Sequence, residues 1–399
     1  MSLHHHHFPL AYLFQNRELN ELYLSYTIFN FASALITVFI PIYLYKIGYS
    51  IAQILIFFLV MSASFVIFSW LGTRITAGIG IKKSMLLSIP LTIAYFLGFR
   101  YIAAAPILFY LLPILCGFKN TFYNYSIHLD FLINSKQENR GRQISLLQGV
   151  ALIGACLAPL AGGLTARFFG FENLFLTGSI FLFISMIPLF FSPEIKIPLN
   201  FKFINLLKEL APRRDWPQKL SFTGYAIESS VGGIIWPIFL FLIFSKIELV
   251  GYLNAFTAFL TLVVLYFIGR KTDQGDKKKV IRLGTGFYSL SLLSRLFIDN
   301  FLSATLIDLY RNVAGHIIHV PWDAYGYQLA STKNPFLFIV SREIIYNLAR
   351  MIFMPLIVFI FIIDFHSFSV SFAIAAAFSL LYAAIIKNAS PELTPDRQL

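Results

Sequence analysis

Charge is what this sequence has least of. Of its 399 residues only 13% are Asp, Glu, Lys or Arg, about half the roughly 25% of a soluble domain. That shortage excludes a large solvated domain. It also excludes nucleic-acid binding, which needs a basic soluble face. Cysteine is nearly absent: Cys116 and Cys156 are the two present, both inside apolar segments. They give neither a disulfide framework nor zinc spacing, and they read as small packing residues. No H-E-x-x-H, G-x-S-x-G or G-x-x-x-x-G-K-[ST] occurs, so the chain lacks the common signatures of metalloprotease, hydrolase and nucleotide chemistry. It is read as a non-enzyme without cofactor or metal.

What is abundant is apolar surface. Hydrophobic residues make up 58% of the chain, phenylalanine alone numbers 44, and the mean hydropathy is +0.73. A membrane-spanning helix needs about 20 apolar residues, so the length holds about twelve spans with short turns. The hydropathy pattern places them near 20–45, 51–72, 84–101, 104–130, 144–168 and 171–192. After one long polar connector they resume near 218–244, 248–269, 280–298, 301–328, 340–363 and 367–387. The expected organisation is a tail (1–19), a six-helix bundle (20–192), a linker (193–217), a second six-helix bundle (218–387) and a second tail (388–399). No cleavable signal sequence is read at the start, where Asn16, Arg17, Glu18 and Asn20 interrupt the pattern. Span 1 is expected to act as its own insertion signal. The His4–His7 tract reads as a floppy tail or an added tag.

Positive charge is distributed unevenly. Connectors after even-numbered spans carry Arg74, Lys82, Lys83, Lys136, Arg140, Arg142, Arg270, Lys271, Lys277, Lys278, Lys279 and Arg282. The long connector adds Lys196, Lys202, Lys208, Arg213, Arg214 and Lys219. The opposite connectors hold little beyond Lys46, Arg100, Arg167 and Lys246. Positive charge stays cytoplasmic, so both termini are expected inside a cell membrane. The net charge of +12 then follows from topology and anionic headgroups. Within the connector, "LNFKFINLLKEL" (199–210) sets Leu199, Phe203, Leu206, Leu207 and Leu210 at helical spacing. It reads as a helix lying on the membrane surface, with a solvated linker as the alternative.

The two halves echo one another. "GTRITAGIGIKKS" (72–84) and "GRKTDQGDKKKV" (269–280) occupy equivalent connectors. "FIPIYLY" (39–45) answers "IWPIFLF" (235–241), and Asp130 answers Asp323 at the ends of spans 4 and 10. Parallel halves of this kind are a known transporter design. These stretches resemble the major facilitator superfamily, whose connector signature is G-x-x-x-D-[RK]-x-G-x-[RK]-[RK]. The second copy keeps Gly269, Asp273, Lys277 and Lys278. The first keeps Gly72, Lys82 and Lys83, with Thr76 in place of the acid. "ENRGRQISLLQGVALIGACLAPLAGG" (138–163) is similar to the family's R-G-R start of span 5, here Arg140 and Arg142, and its G-x-x-x-G-P-x-x-G-G run. Gly154, Pro159, Gly162 and Gly163 match, and Ala158 replaces the middle glycine. "FGFENLFL" (169–176) resembles the lead into span 6. The resemblance implies an all-α membrane protein of two pseudo-symmetric six-helix bundles, working by alternating access. It implies that these connector and span 5 residues, with Asp130 and Asp323, form the moving parts.

Gly154, Ala158 and Gly162 lie four apart on one face. In lipid, small residues let helices approach closely, so the stripe suits a helix that slides as two halves rock. A static packing face is the alternative. The family links this pattern to exporters working as antiporters.

Charges inside a membrane mark functional sites by default. Glu228, in "AIESSVGG", falls near the middle of span 7 with no Lys or Arg within a turn, and is the expected proton-coupling group. The alternative is a neutral acid hydrogen-bonded to Ser or Tyr neighbours. Lys119 in span 4 and Arg311 in span 10 fall at near-equivalent positions of the two halves. The resemblance places spans 1, 4, 7 and 10 around a central cavity, where these two cations could bind an anionic group. Alternatively Asp308 neutralises Arg311, and Glu228 neutralises Lys119. Asn30, Asn120, Asn124, Tyr225, Trp236, Asn347 and Arg350 are further cavity candidates. His316, His319 and Asp323 share a face and could relay protons, with a metal pair as the alternative; Arg295 and Asp299 read as a local ion pair. The expected function is a secondary transporter of a small, negatively charged organic solute coupled to protons, acting as a monomer among lipids. A lipid or amphiphile flippase on the same fold is the alternative, and a transport-dead receptor or scaffold stands further off.

Overall fold

The computed structural model describes residues 17–135, 140–211, 215–272 and 277–388. The first rod is α1 (Arg17–Thr37) continued by α2 (Ile40–Lys46). Then follow α3 (Ile51–Ile79), α4 (Ile81–Tyr101), α5 (Leu108–Asn134), α6 (Arg140–Phe168) and α7 (Gly170–Phe190). A short helix, α8 (Phe203–Leu210), crosses the connector. The second half runs through α9 (Trp216–Ser230), a π turn (Val231–Ile235) and α10 (Trp236–Phe244), which together make one rod. It continues with α11 (Ile247–Thr272), α12 (Lys277–Leu293), α13 (Phe301–Ser331), α14 (Pro335–Ile363) and α15 (Ser367–Ser379). The last is prolonged by a 3₁₀ segment to Asn388. Six rods precede α8 and six follow it, close to the spans read from hydropathy.

Local chemistry sets several boundaries. Ser50 and Gln53 form a reciprocal capping box that starts α3, and Asn300 with Ser303 does the same for α13. Gly80, at φ +99°, turns the chain from α3 into α4, a conformation that favours glycine. The Glu194 carboxylate then accepts the backbone N–H groups of Lys82 (3.0 Å) and Lys83 (2.9 Å), which ties the linker to the positive end of α4. Pro90, Pro113, Pro159, Pro188, Pro321 and Pro355 all sit inside helices. In lipid such breaks are tolerated because neighbouring helices accommodate the freed carbonyls.

Packing obeys a two-fold rule. In the first half α3 packs on α5, α1 on α7, α4 on α5 and α7, and α1 on α6. In the second half α11 packs on α13, α9 on the final 3₁₀ segment, α12 on α13 and α15, and α14 on α9. Each of these first-half contacts maps onto a second-half one when six spans are added. The halves meet along two seams, α6 with α11 and α3 with α14, and the same operation exchanges these. Large apolar side chains face outward, among them Ile67 (72% exposed), Phe183 (65%) and Ile352 (67%). Eight of the rods are long and apolar enough by themselves to cross a membrane among the described residues. The chain is a multi-pass membrane protein.

The small-residue stripe of α6 is corrected by the packing. A Cβ on Gly162 would meet the Leu35 carbonyl and the Phe39 ring, and one on Gly154 would come 3.7 Å from Phe31. These neighbours belong to α1 and the turn after it, so the stripe holds the first half together. The contact with the other half lies on the adjacent face, where Pro159 and Gly163 abut Gly251 and Glu248 of α11. Gly72 is likewise internal, pressed against Thr121 of α5. The expected equivalence of Asp130 and Asp323 also separates. Asp130, fully buried, binds Lys82 at 2.6 Å inside the first half, whereas Asp323 lines a polar pocket in the second. Lys83 contributes its backbone N–H alone to the Glu194 bond. Arg140, Arg142 and Gly269 lie on α6 and α11, while Asp273, the His4–His7 tract and Arg213–Arg214 lie outside the described residues.

In α8, Phe203, Ile204 and Leu207 are exposed while Leu206 and Glu209 are buried, and Lys333 bridges Glu209 at 3.2 Å.

Candidate functional site

Between the halves lies a cavity of about 460 Å³, lined from α1, α3, α4 and α5 on one side and from the α9–α10 rod, α11 and α14 on the other. The π turn is one wall: Gly232, Gly233 and Ile234 face the space. An extra residue in a helical turn is a recurrent device at functional sites. The glycines that allow it were visible in the sequence, although the bulge itself was not. Gly232 has open room, with only Arg311 Nη2 (3.6 Å) and Glu228 Oε1 (3.7 Å) near a Cβ built on it.

Ser229 also borders a second, polar pocket of about 310 Å³, lined by Tyr225, Glu228, Arg311, Asn312, His316, His319 and Asp323 among others. This brings His316, His319 and Asp323 together as their spacing on α13 suggested. His319 packs among the rings of Tyr225, Tyr288, Trp322 and Tyr382.

The ion pairs differ from both sequence-based pairings. Glu228, 1% exposed, accepts Arg311 Nη2 at 3.0 Å, the Tyr288 hydroxyl at 2.7 Å and the Tyr382 hydroxyl at 3.0 Å. Its cation comes from α13, which spacing along α9 could not show. Asp308 serves Arg295 instead of Arg311: its Oδ1 lies 3.7 Å from Arg295 Nη2, and its Oδ2 accepts Thr257 (2.8 Å) and Asn312 (3.1 Å). Arg311 Nη1 donates to Asn312 at 3.1 Å. Two carboxylates and two guanidiniums thus form one neutral chain across α9, α13 and the turn after α12. Arg295 is not a surface partner of Asp299; it is 1% exposed, with its guanidinium 3.9 Å over the Trp236 ring. The aromatic face holds the cation there.

Lys119 is not neutralised by Glu228. It lines the 460 Å³ cavity at 7% exposure, 5.8 Å above the Tyr95 ring. The cation facing it from the second half is Arg350, which sequence reasoning held only as a minor candidate. Arg350 donates to Ser230 (3.2 Å), Asn347 (3.3 Å) and Ser229 (3.4 Å). Asn347 is thereby a support for Arg350, and donates its own amide to the Glu343 carbonyl. Asn120 lines the cavity, as does Trp236. Asn30 turns back on α1, bonding the Tyr26 carbonyl at 2.7 Å.

Contacts between the halves bracket the cavity. At the end nearer the termini, the His128 ring bonds the Tyr327 hydroxyl at 2.7 Å and Asn124 donates to Glu343 at 3.1 Å. Glu343 is also held by Arg342 at 2.9 Å. At the far end Arg167 meets Glu248 at 3.0 Å, and Tyr45 meets Phe241 edge-on. His128, Arg342 and Glu343 were missed by the sequence reading. The signal was there: Asn120, Asn124 and His128 repeat every four residues along α5, opposite Glu343, Asn347 and Arg350 at i, i+4 and i+7 on α14.

The cavity thus lies between two-fold-related helical halves, with contacts between the halves at both of its ends. No protein-family model and no curated protein matches the sequence. Solved structures do. The D-xylose–proton symporter matches over 94% of this chain and 98% of its own, with a TM-score of 0.68 at 15% identity. The human organic anion transporter MFSD10 (TETRAN) matches over 93% and 99%, with a TM-score of 0.66 at 12% identity. The chain has the fold of major facilitator superfamily transporters, as its connector and span 5 motifs implied. At these identities the likeness is one of fold.

Proposed function

We propose that the protein is a secondary transporter that moves a small organic solute across the cell membrane by alternating access. The observation that carries this reading is the cavity shared by the halves, set between two exchangeable seams and bracketed by contacts that a rocking motion breaks one end at a time. Glu228 is the proton-coupling group. Its carboxylate lies beside the π turn that walls the cavity, next to the His316–His319 pocket that offers a path for protons. A proton on Glu228 cancels its attraction for Arg311, which then leans on Asn312 and Asp308. That change is local, charge-driven and adjacent to the solute. Both termini are cytoplasmic, as the basic connectors require, and the exposed apolar side of α8 rests on the inner membrane surface. Similarity of the α6 motif to that of exporters favours outward movement by proton antiport.

The test uses purified protein in liposomes with an internal pH dye, offered a panel of organic acids, sugars and amines. Wild type moves one class of solute together with a proton flux. Glu228→Gln exchanges the same solute without protons. A protein that moves nothing, or a Glu228→Gln variant that carries protons like wild type, overturns the assignment.

A further inference from the structure

The cavity holds an imbalance. Among the described residues Lys119 and Arg350 are the ionic groups that line it, and no carboxylate does. Acids nearby are already engaged: Glu228 by Arg311 and Glu343 by Arg342. Among the described residues the Lys119 ammonium has no hydrogen-bond or ion-pair partner; it sits over the Tyr95 ring, near the Cys116 thiol. Among the described residues the Arg350 hydrogen bonds go to neutral oxygens, and they use three of the five N–H groups of a guanidinium. Tyr123, 8% exposed and also lining the cavity, has a hydroxyl with no partner. An unpaired buried charge is costly, and two like charges from opposite halves also oppose closure. The rest of the wall combines aromatic rings, Phe29, Phe58, Phe96 and Trp236 among them, with neutral polar side chains such as Ser33, Asn120 and Asn254.

From this geometry we infer that the cavity is a binding site for a single-headed organic anion, its oxyanion group held between Lys119, Tyr123 and Arg350 and its flat apolar body against the aromatic wall. The substrate class rests on the transport reading above, whereas the site itself does not. A carboxylate or sulfonate supplies an acceptor for the Lys119 ammonium and the Tyr123 hydroxyl, and a counter-charge for Arg350 with its two remaining N–H groups. Because the cations come from different halves, the anion also draws the halves together, so binding and closure are one event. An ammonium would meet two like charges, and a neutral polyol would leave both unpaired. The volume is within the roughly 300–1,000 Å³ of small-molecule sites.

The experiment measures binding to the purified full chain by calorimetry and thermal shift, with 2-naphthoate and 2-naphthalenesulfonate against 2-naphthamide and 2-naphthylmethylammonium. At least one anion is expected to bind and raise the melting temperature, with the amide and the ammonium weaker by about tenfold or more, as loss of charge-assisted bonds requires. Lys119→Met and Arg350→Gln each weaken the anion by a similar factor, and Lys119→Arg restores it. Lys119 has no partner to lose, so Lys119→Met leaves the melting temperature of the empty protein unchanged or higher. Preference for the amide or the ammonium, indifference of anion binding to Lys119→Met, or failure of both anions overturns the inference. An anion that binds in this pattern but is not moved in liposomes leaves the site standing and overturns the transport reading. Transport of a sugar or amine without anion binding does the reverse.

Discussion

The seam between α6 and α11 makes the rocking motion testable with one methyl group. A Cβ on Gly251 would lie 2.5 Å from the Pro159 carbonyl oxygen and 3.3 Å from the Gly163 Cα. Both are backbone atoms, so the helices themselves must move apart. Overpacking of this kind costs about 1–3 kcal/mol. The cost falls on the arrangement seen here, with the seam closed beside the Arg167–Glu248 pair, and is relieved when that end opens. A bias of about 1–3 kcal/mol shifts a two-state equilibrium roughly 5- to 150-fold. Gly251→Ala is therefore expected to populate a state open at the end away from the termini. The assay replaces Cys116 and Cys156, places spin labels at Lys46 and Lys246, and measures their separation by electron–electron resonance. Both positions are exposed, and they flank that end on opposite halves. The longer distance should grow in Gly251→Ala. Gly154→Ala is the control, since its Cβ meets nothing nearer than 3.7 Å and faces α1 of its own half. A wild-type distance distribution in Gly251→Ala, or an equal shift in Gly154→Ala, refutes the reasoning.

Other consequences are equally direct. Lys82→Met removes the cation 2.6 Å from the fully buried Asp130 and should destabilise the protein by about 3–5 kcal/mol, with Lys82→Met/Asp130→Asn recovering much of the loss in a detergent melting series. Arg295→Met should lower stability comparably, and Arg295→Lys should not rescue it, because the flat guanidinium stacks on Trp236. His128→Ala removes the Tyr327 bond between the halves, worth about 0.5–1.5 kcal/mol. In a Cys156→Ser background it should speed thiol labelling of the cavity-lining Cys116 about two- to tenfold, and an unchanged rate would remove His128 from the closure.

Composition and periodicity carried most of the fold. The twelve apolar runs, the even division about residues 193–217 and the connector motifs are all properties of short windows, and short windows determine helices. The site was legible in part. Glu228, Lys119 and Arg311 stood out because charge in an apolar run is conspicuous, but their partners did not, because pairing is decided between helices distant in sequence. Arg311 has Asp308 three residues away, yet bonds Glu228 of α9, leaving Asp308 for Arg295. Lys119 faces Arg350 for the same reason: α5 and α14 flank one space, a relation no spacing encodes. The glycines of α6 gave the right mechanism of close approach and the wrong neighbour, since a helix presents two small faces and only packing says which one meets the other half.

The most direct test of a proton-coupled carrier with a cationic cavity is flux in liposomes with an impermeant probe. With 2-naphthalenesulfonate on one side and a pH dye on the other, wild type should carry the sulfonate and protons in fixed ratio. Glu228→Gln should carry the sulfonate in exchange mode alone, and Lys119→Met should need about tenfold more sulfonate for the same flux. Proton flux that survives in Glu228→Gln, or an unchanged sulfonate dependence in Lys119→Met, would contradict the account.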